Sequence, residues 1–257
     1  MHSIALLRIL SFSALALTLA TTTAHADEQP HEDRGPQWGL GLGVSSETSP
    51  YRGVDTETKA LPMLSFENRY VRVMGPSLDL KLPSAGPVSL ALRARYSDPG
   101  YKASDADELQ GMDERKGGLW LGARADWRLP WAQLTAEWLG DANGRSDGQQ
   151  LKLEASRRFK IGTVGLKPHL ALVWQDRDYV DYYYGVRAAE SRAGRAAYAG
   201  SSAVNTELGL QLNLPLAPGH SVFVDLSHTF LGSAIKDSPL VDRSGVSSVR
   251  AAYVYRF

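Results

Sequence analysis

Val249-Arg250-Ala251-Ala252-Tyr253-Val254-Tyr255-Arg256-Phe257 is the stretch on which the fold turns. Counted back from Phe257, every second residue is apolar or aromatic: Tyr255, Tyr253, Ala251 and Val249. Arg256 and Arg250 fall in the opposite phase. A period of two means that successive side chains point to opposite faces of a sheet. As the edge of a soluble sheet, such an aromatic strand would invite aggregation. In a closed barrel it pairs on both sides and no edge remains.

Working outward, the same period recurs. In Val204 to Leu214 one face carries Val204, Thr206, Leu208, Leu210, Leu212 and Leu214, and the other Asn205, Glu207, Gly209, Gln211 and Asn213. Trp38, Leu40, Leu42 and Val44 alternate with glycines. Comparable runs cover 78–82, 88–96, 119–129, 133–138, 151–156, 166–174 and 222–230. Most are longer than the roughly 5–6 residues of a soluble strand and suit the roughly 9–11 of a tilted membrane strand. Trp38, Tyr96, Trp127, Trp138, Trp174 and Phe230 sit near run ends on the apolar face, where interfacial girdles belong. Connections alternate between tight (83–87, 160–162, 216–219) and long (97–116, 177–202, 233–245).

These features predict an all-β chain: a transmembrane antiparallel up-and-down β-barrel with long extracellular loops and short periplasmic turns. Separate strands at Leu61–Glu67 and Tyr70–Val73, turned at Asn68-Arg69 and again at Gly75-Pro76, bring the count to about twelve. Both would be short for a bilayer. A single strand over 70–82 would give eleven, which parity disfavours; ten is the main alternative.

Composition alone points elsewhere. The 257 residues carry 28 basic and 28 acidic side chains, 43% hydrophobic residues and no cysteine, with a mean hydropathy of -0.25. That average fits a soluble domain, but it sums an apolar wall, a polar lining and hydrophilic loops. Balanced charge argues against nucleic-acid binding, and the missing cysteines exclude disulfides and Cys-based metal centres. Residues 1–26 read as a signal peptide: Arg8, an apolar run from Ile9 to Leu19, and an Ala24-His25-Ala26 cleavage site. Residues 27–35 would be a periplasmic tail, and 36–257 the barrel.

No catalytic, cofactor or metal site is expected. Ser227 and His228 are strand neighbours and point apart. His31, His169, His220 and His228 have no metal-ligand spacing. Strand phase instead turns many charges inward: Arg93 and Arg95; Arg124, Asp126 and Arg128; Glu137; Lys152 and Glu154; Lys167; Glu207; Asp225; and Arg250. They can form a salt-bridge network filling the lumen or line a narrow polar pore. The mixing of signs favours the network. In the longest loop, Tyr179, Tyr182, Tyr183, Tyr184 and Tyr198 with Arg187, Arg192 and Arg195 form either a binding surface or a cover folded over the mouth. Residues 98–115 read as a solvated surface loop.

Several fragments resemble the MipA/OmpV (MltA-interacting protein) family of Gram-negative outer-membrane proteins. They are Ser49-Pro50-Tyr51-Arg52-Gly53, Gly111-Met112, Tyr182-Tyr183-Tyr184-Gly185-Val186 and Asp237-Ser238-Pro239-Leu240-Val241, with Tyr255-Arg256-Phe257 at the end. Tyr51, Gly53, Tyr184, Gly185, Ser238 and Pro239 carry the motif. Tyr253, Tyr255 and Phe257 resemble the signal read by the barrel assembly machinery. The resemblance implies a non-enzymatic protein in contact with outer-membrane lipid and lipopolysaccharide. Of the roles described within that family, a scaffold for a murein transglycosylase and a penicillin-binding protein is the leading expectation, with a porin-like channel for small polar solutes as the alternative.

Overall fold

The computed structural model describes residues 35–84, 86–97 and 99–257. The expected signal peptide and all but the last residue of the expected tail lie outside them. The strands are β1 (Gln37–Glu47), β2 (Glu57–Glu67), β3 (Val71–Met74), β4 (Ser77–Lys81), β5 (Val88–Ser97), β6 (Gly118–Arg128) and β7 (Gln133–Asp141). They continue as β8 (Gln149–Ser156), β9 (Phe159–Ile161), β10 (Val164–Gln175), β11 (Ala203–Ala217), β12 (His220–Phe230) and β13 (Gly245–Arg256). Two short helices, α1 (Arg177–Tyr184) and α2 (Ser233–Lys236), sit in the long loops.

Each strand pairs antiparallel with its neighbour, and β13 closes on β1 from Gly39↔Arg256 to Glu47↔Ser248. The terminal strand thus has partners on both sides. β8 and β9 pair with β10 in one continuous register, broken only at Arg157 and Arg158. Arg157 lies opposite Pro168, which has no N–H to give to the ladder; its carbonyl accepts the Arg157 N–H at 3.3 Å. Counting β8 and β9 as one wall position, the barrel has twelve strands.

The short strands are not quite those expected. β2 runs full length from Glu57, whereas β3 and β4 span only part of the wall. Gly75 holds φ +54 and Pro76 follows it, so the chain reverses within the wall.

The apolar phase faces out. Leu42 is 72% exposed, and Leu40, Leu64, Leu92, Leu121, Leu153, Leu172 and Leu208 are likewise exposed. No helix among the described residues is long and apolar enough to cross a membrane. Trp38, Trp127 and Phe159 lie toward the turn end of this belt, and Tyr96, Trp138, Trp174 and Phe230 toward the loop end. Two such girdles are what aromatic side chains form at the two lipid–water boundaries. Tyr253, Tyr255 and Phe257 are also exposed on this face, with His220 stacked on Tyr255.

Candidate functional site

The buried apolar core is not in the barrel's middle but over its loop-end mouth. Tyr51, Tyr101, Leu109, Met112, Tyr179, Val180, Tyr183, Tyr184, Val186, Leu231, Ile235, Leu240 and Val241 pack together, resting on inward Trp120 and Leu139. All but the last two belong to loops, so the loops form a cap with a hydrophobic core of its own. α1 supplies its centre. Asp176 caps that helix by accepting the Tyr179 N–H at 2.9 Å. Tyr179, Val180, Tyr183 and Tyr184 then share one face and bury it against Trp120, 5.6 Å from Tyr179. Of the two possibilities for the loop tyrosines, the fold takes the cover.

The motif residues meet in this cap. The Tyr51 hydroxyl donates to the Pro99 and Tyr183 carbonyls at 3.2 Å each, and its ring stacks on Tyr184. Ser238 Oγ donates to the Tyr184 carbonyl at 2.6 Å, and Pro239 follows it. Gly185 ends α1 where a Cβ would strike the Asp181 carbonyl. Gly53 holds φ +74 with the Glu108 carboxylate where its Cβ would be. These residues pack the cap.

Residues 98–115 are not simply a solvated loop. Tyr101, Leu109, Met112 and Arg115 are buried. Arg115 is 2% exposed and makes a two-pronged bond to Glu190 at 2.8 and 2.9 Å. Its Nε donates to the Tyr182 carbonyl at 2.7 Å. Arg195 is buried too, giving its hydrogens to the carbonyls of Glu108, Gln110 and Glu190. Sequence reading missed this pair because Arg115 and Glu190 lie in different loops, with nothing local to link them. Burial works against the Glu190 charge, but the Arg187 and Asp113 N–H groups and the Arg115 guanidinium outweigh it and hold the carboxyl below its ordinary value.

Below the cap, the lumen side chains stand in two balanced groups. In the first, Arg93 grips Asp79 with two bonds of 2.6 Å, and Arg93 and Arg95 both reach Glu137. Arg124 bonds Asp126 at 2.7 Å, and Asp126 also accepts from Thr135 and Gln133. In the second, Lys152 meets Glu207 at 2.9 Å, Lys167 meets Glu154 at 3.0 Å, and His169 Nε2 lies 3.2 Å from Glu207. A polar cavity of about 240 Å³ lies between them, touching Arg93 and Arg124 on one wall and Glu154 and Lys167 on the other. Asp225 stands opposite Arg250 in the sheet, while the Arg250 side chain bonds Glu47 at 3.0 Å near the loop end. Glu137, 5% exposed, serves Arg93 and Arg95 and lies 3.9 Å from a third guanidinium, that of Arg124, so Glu137→Gln is expected to cost about 3 kcal/mol by leaving them short of charge. The urea midpoint for unfolding from lipid vesicles measures this; Glu57→Gln, at an exposed carboxylate, should not move it.

At the turn end the picture changes. Arg72, Arg128, Arg158 and Arg256 point inward or to the rim and form no ion pair among the described residues. Lys160, in the same phase as Arg158, is exposed beside them. The rim is therefore basic.

Ser227 and His228 do point apart, but the fold brings a different serine to His228. His228 Nδ1 lies 2.9 Å from Ser247 Oγ on the outward face. No carboxylate bonds the other ring nitrogen among the described residues, so nothing orients this pair as a nucleophile and its base.

The family model described as MltA-interacting protein MipA matches residues 40–257. The chain is 26% identical to the MltA-interacting protein of Escherichia coli (strain K12), over 96% of this chain and 99% of that one. It is 26% identical to the outer membrane protein OmpV of Vibrio cholerae, over 94% of each. To the Escherichia coli (strain K12) outer membrane protein YiaT it is 27% identical, over 85% of this chain and 90% of that one. A closed wall with an apolar outside and paired charges inside agrees with where these relatives reside. The chain is an outer-membrane β-barrel and belongs to the MltA-interacting protein MipA family.

Proposed function

We propose that this protein is a non-enzymatic interaction module of the cell envelope, a scaffold for murein-acting enzymes that approach from the periplasm. The observation that carries this reading is the asymmetry of the two ends. The extracellular mouth is covered by packed loops, whereas the periplasmic rim presents a surplus of cations, Arg72, Arg128, Arg158, Lys160 and Arg256, with Glu67 beside Arg72 and Arg256. A basic rim attracts acidic protein surfaces and steers their approach. The Escherichia coli relative carries the name MltA-interacting protein, that of a protein with a partner. A murein transglycosylase and a penicillin-binding murein synthase are the partners proposed. The test is recovery of murein enzymes with the purified barrel from envelope extracts. Recovery should fall with added salt and with the pair Arg72→Glu and Arg256→Glu; failure to recover any murein enzyme would refute the reading.

A second reading, a narrow channel, is favoured by the cavities of about 240 and 140 Å³ inside the lumen. The cap and the ion pairs oppose it. Planar-bilayer recording of the purified protein is expected to give no stable unitary steps, and steps that persist would replace the scaffold with the channel.

A further inference from the structure

We infer that the barrel wall carries a lateral window between β2 and β5 that admits an acyl chain of a bilayer lipid into the lumen. The window follows from the short β3–β4 hairpin. β3 pairs with β2 only from Ser65 to Glu67. The hairpin tip is tied off by two bonds of 3.0 Å: the Gly75 N–H donates to the Leu64 carbonyl, and the Tyr96 N–H donates to the Pro76 carbonyl. Beyond the tip, β2 continues from Met63 to Glu57 with β1 on one side and no strand on the other. β5 ends at Ser97. Loops close the gap above, where Tyr51 bonds Pro99 and Gly53 abuts Glu108.

The edge chemistry fits an opening toward hydrocarbon. In an antiparallel strand the N–H and C=O of one residue point to the same side, alternating along the chain. Because the Leu64 carbonyl faces the hairpin, so do the backbone groups of Pro62, Ala60 and Thr58, and none of these is paired among the described residues. An unpaired N–H in hydrocarbon is costly. At the deepest open position the residue is Pro62, which has no N–H to leave unpaired, and an unpaired strand edge is a position that proline favours. Ala60 and Thr58 lie nearer the extracellular rim, where water and headgroups reach.

The lining also changes character here. At this level of the facing strands β5 to β8 the inward phase carries charged side chains such as Arg93, Arg124, Glu137 and Lys152, but inside the window it is Leu61 and Met63, with Met74 at the hairpin tip. Leu61 points inward, in the phase of Gly43, and is still 49% exposed. An apolar, accessible strip on the inner face beside an opening in the lipid-facing wall suits a hydrocarbon chain. It does not suit a polar solute, which would gain no partner.

The chain has no cysteine, so one bimane-labelled cysteine reports alone. Leu61→Cys would be labelled and the protein folded into vesicles of phosphatidylcholine with brominated acyl chains. Ala252→Cys is the wall control: Gly43 pairs with both Leu61 and Ala252, so the two lie at one level, both inward, on opposite sides of β1. Leu42→Cys, facing lipid, sets full quenching. The expected result is quenching at position 61 several-fold above that at 252 and approaching that at 42. Quenching at 61 no greater than at 252 would overturn the window, as would quenching at 61 by aqueous iodide but not by brominated chains. Met63→Cys, on the same inner strip, takes the place of Leu61→Cys if that variant does not fold.

Discussion

Glu190→Ala is expected to melt the extracellular cap while the barrel beneath stays folded. The substitution removes both prongs of the Arg115 bond and the acceptor for the Asp113 and Arg187 N–H groups, at 3.0 and 2.9 Å. Arg115 would remain 2% exposed with its charge unanswered. Leaving one member of such a buried pair alone costs roughly 3–5 kcal/mol, which is large for loops held by one small core. Limited proteolysis should show rapid cleavage within 99–117 and 176–202, with the heat-modifiable gel mobility of the barrel unchanged. Unchanged protease resistance would mean that the pair does not hold the cap. The same pair predicts a pH effect. The folded Glu190 carboxyl titrates below its ordinary 4.5. Its stabilisation is therefore complete above that value and is lost as pH falls through the lower, folded one. Protease sensitivity of the wild-type cap should rise in that acid window, and that of the Glu190→Ala cap should change less.

Gly41→Val is expected to prevent the barrel from closing. Gly41 faces inward at the seam between the first and last strands, opposite Val254. A Cβ there would run into the Tyr253 carbonyl oxygen and lie 3.0 Å from the Val254 Cα. Those are backbone atoms of the partner strand, and they yield only if β1 and β13 part. Overpacking against side chains typically costs about 1–3 kcal/mol; against a paired backbone the cost should exceed that range. Refolding into lipid vesicles, followed by gel mobility without heating, should give little of the folded band. Leu42→Val, one residue along and facing lipid, should refold like the wild type. Equal refolding of the two variants would mean that the seam tolerates the added bulk.

Most of the wall was legible in the sequence because its cause is local. Alternation in 204–214 or 249–257 follows from the two-residue period of a strand, and no distant residue is needed to see it. Inward and outward phases followed at once, as did the aromatic positions. Gly75-Pro76 marked one of the wall's irregularities, although only the register made its consequence visible; the break opposite Pro168 appeared only in the structure. The misjudged part was 98–115. Its charged composition suggested solvent, yet Tyr101, Leu109 and Met112 find their neighbours in loops far away along the chain. The tyrosines of 179–184 had a helical spacing and an Asp176 cap, signals that a reading centred on strands passed over.

By itself, then, the sequence determined the class: a closed transmembrane barrel, its strand directions, which side chains meet lipid and which meet the lumen. These follow from side-chain period and run length, properties of each segment alone. The tertiary structure decided what depends on which segments meet. It folded four loops into one cap, joined Arg115 to Glu190, sorted the lumen charges into balanced groups above a basic rim, and left β2 without a neighbour beyond the β3–β4 hairpin. Each of these is a contact between residues far apart in the chain, set by strand register and loop packing rather than by local pattern.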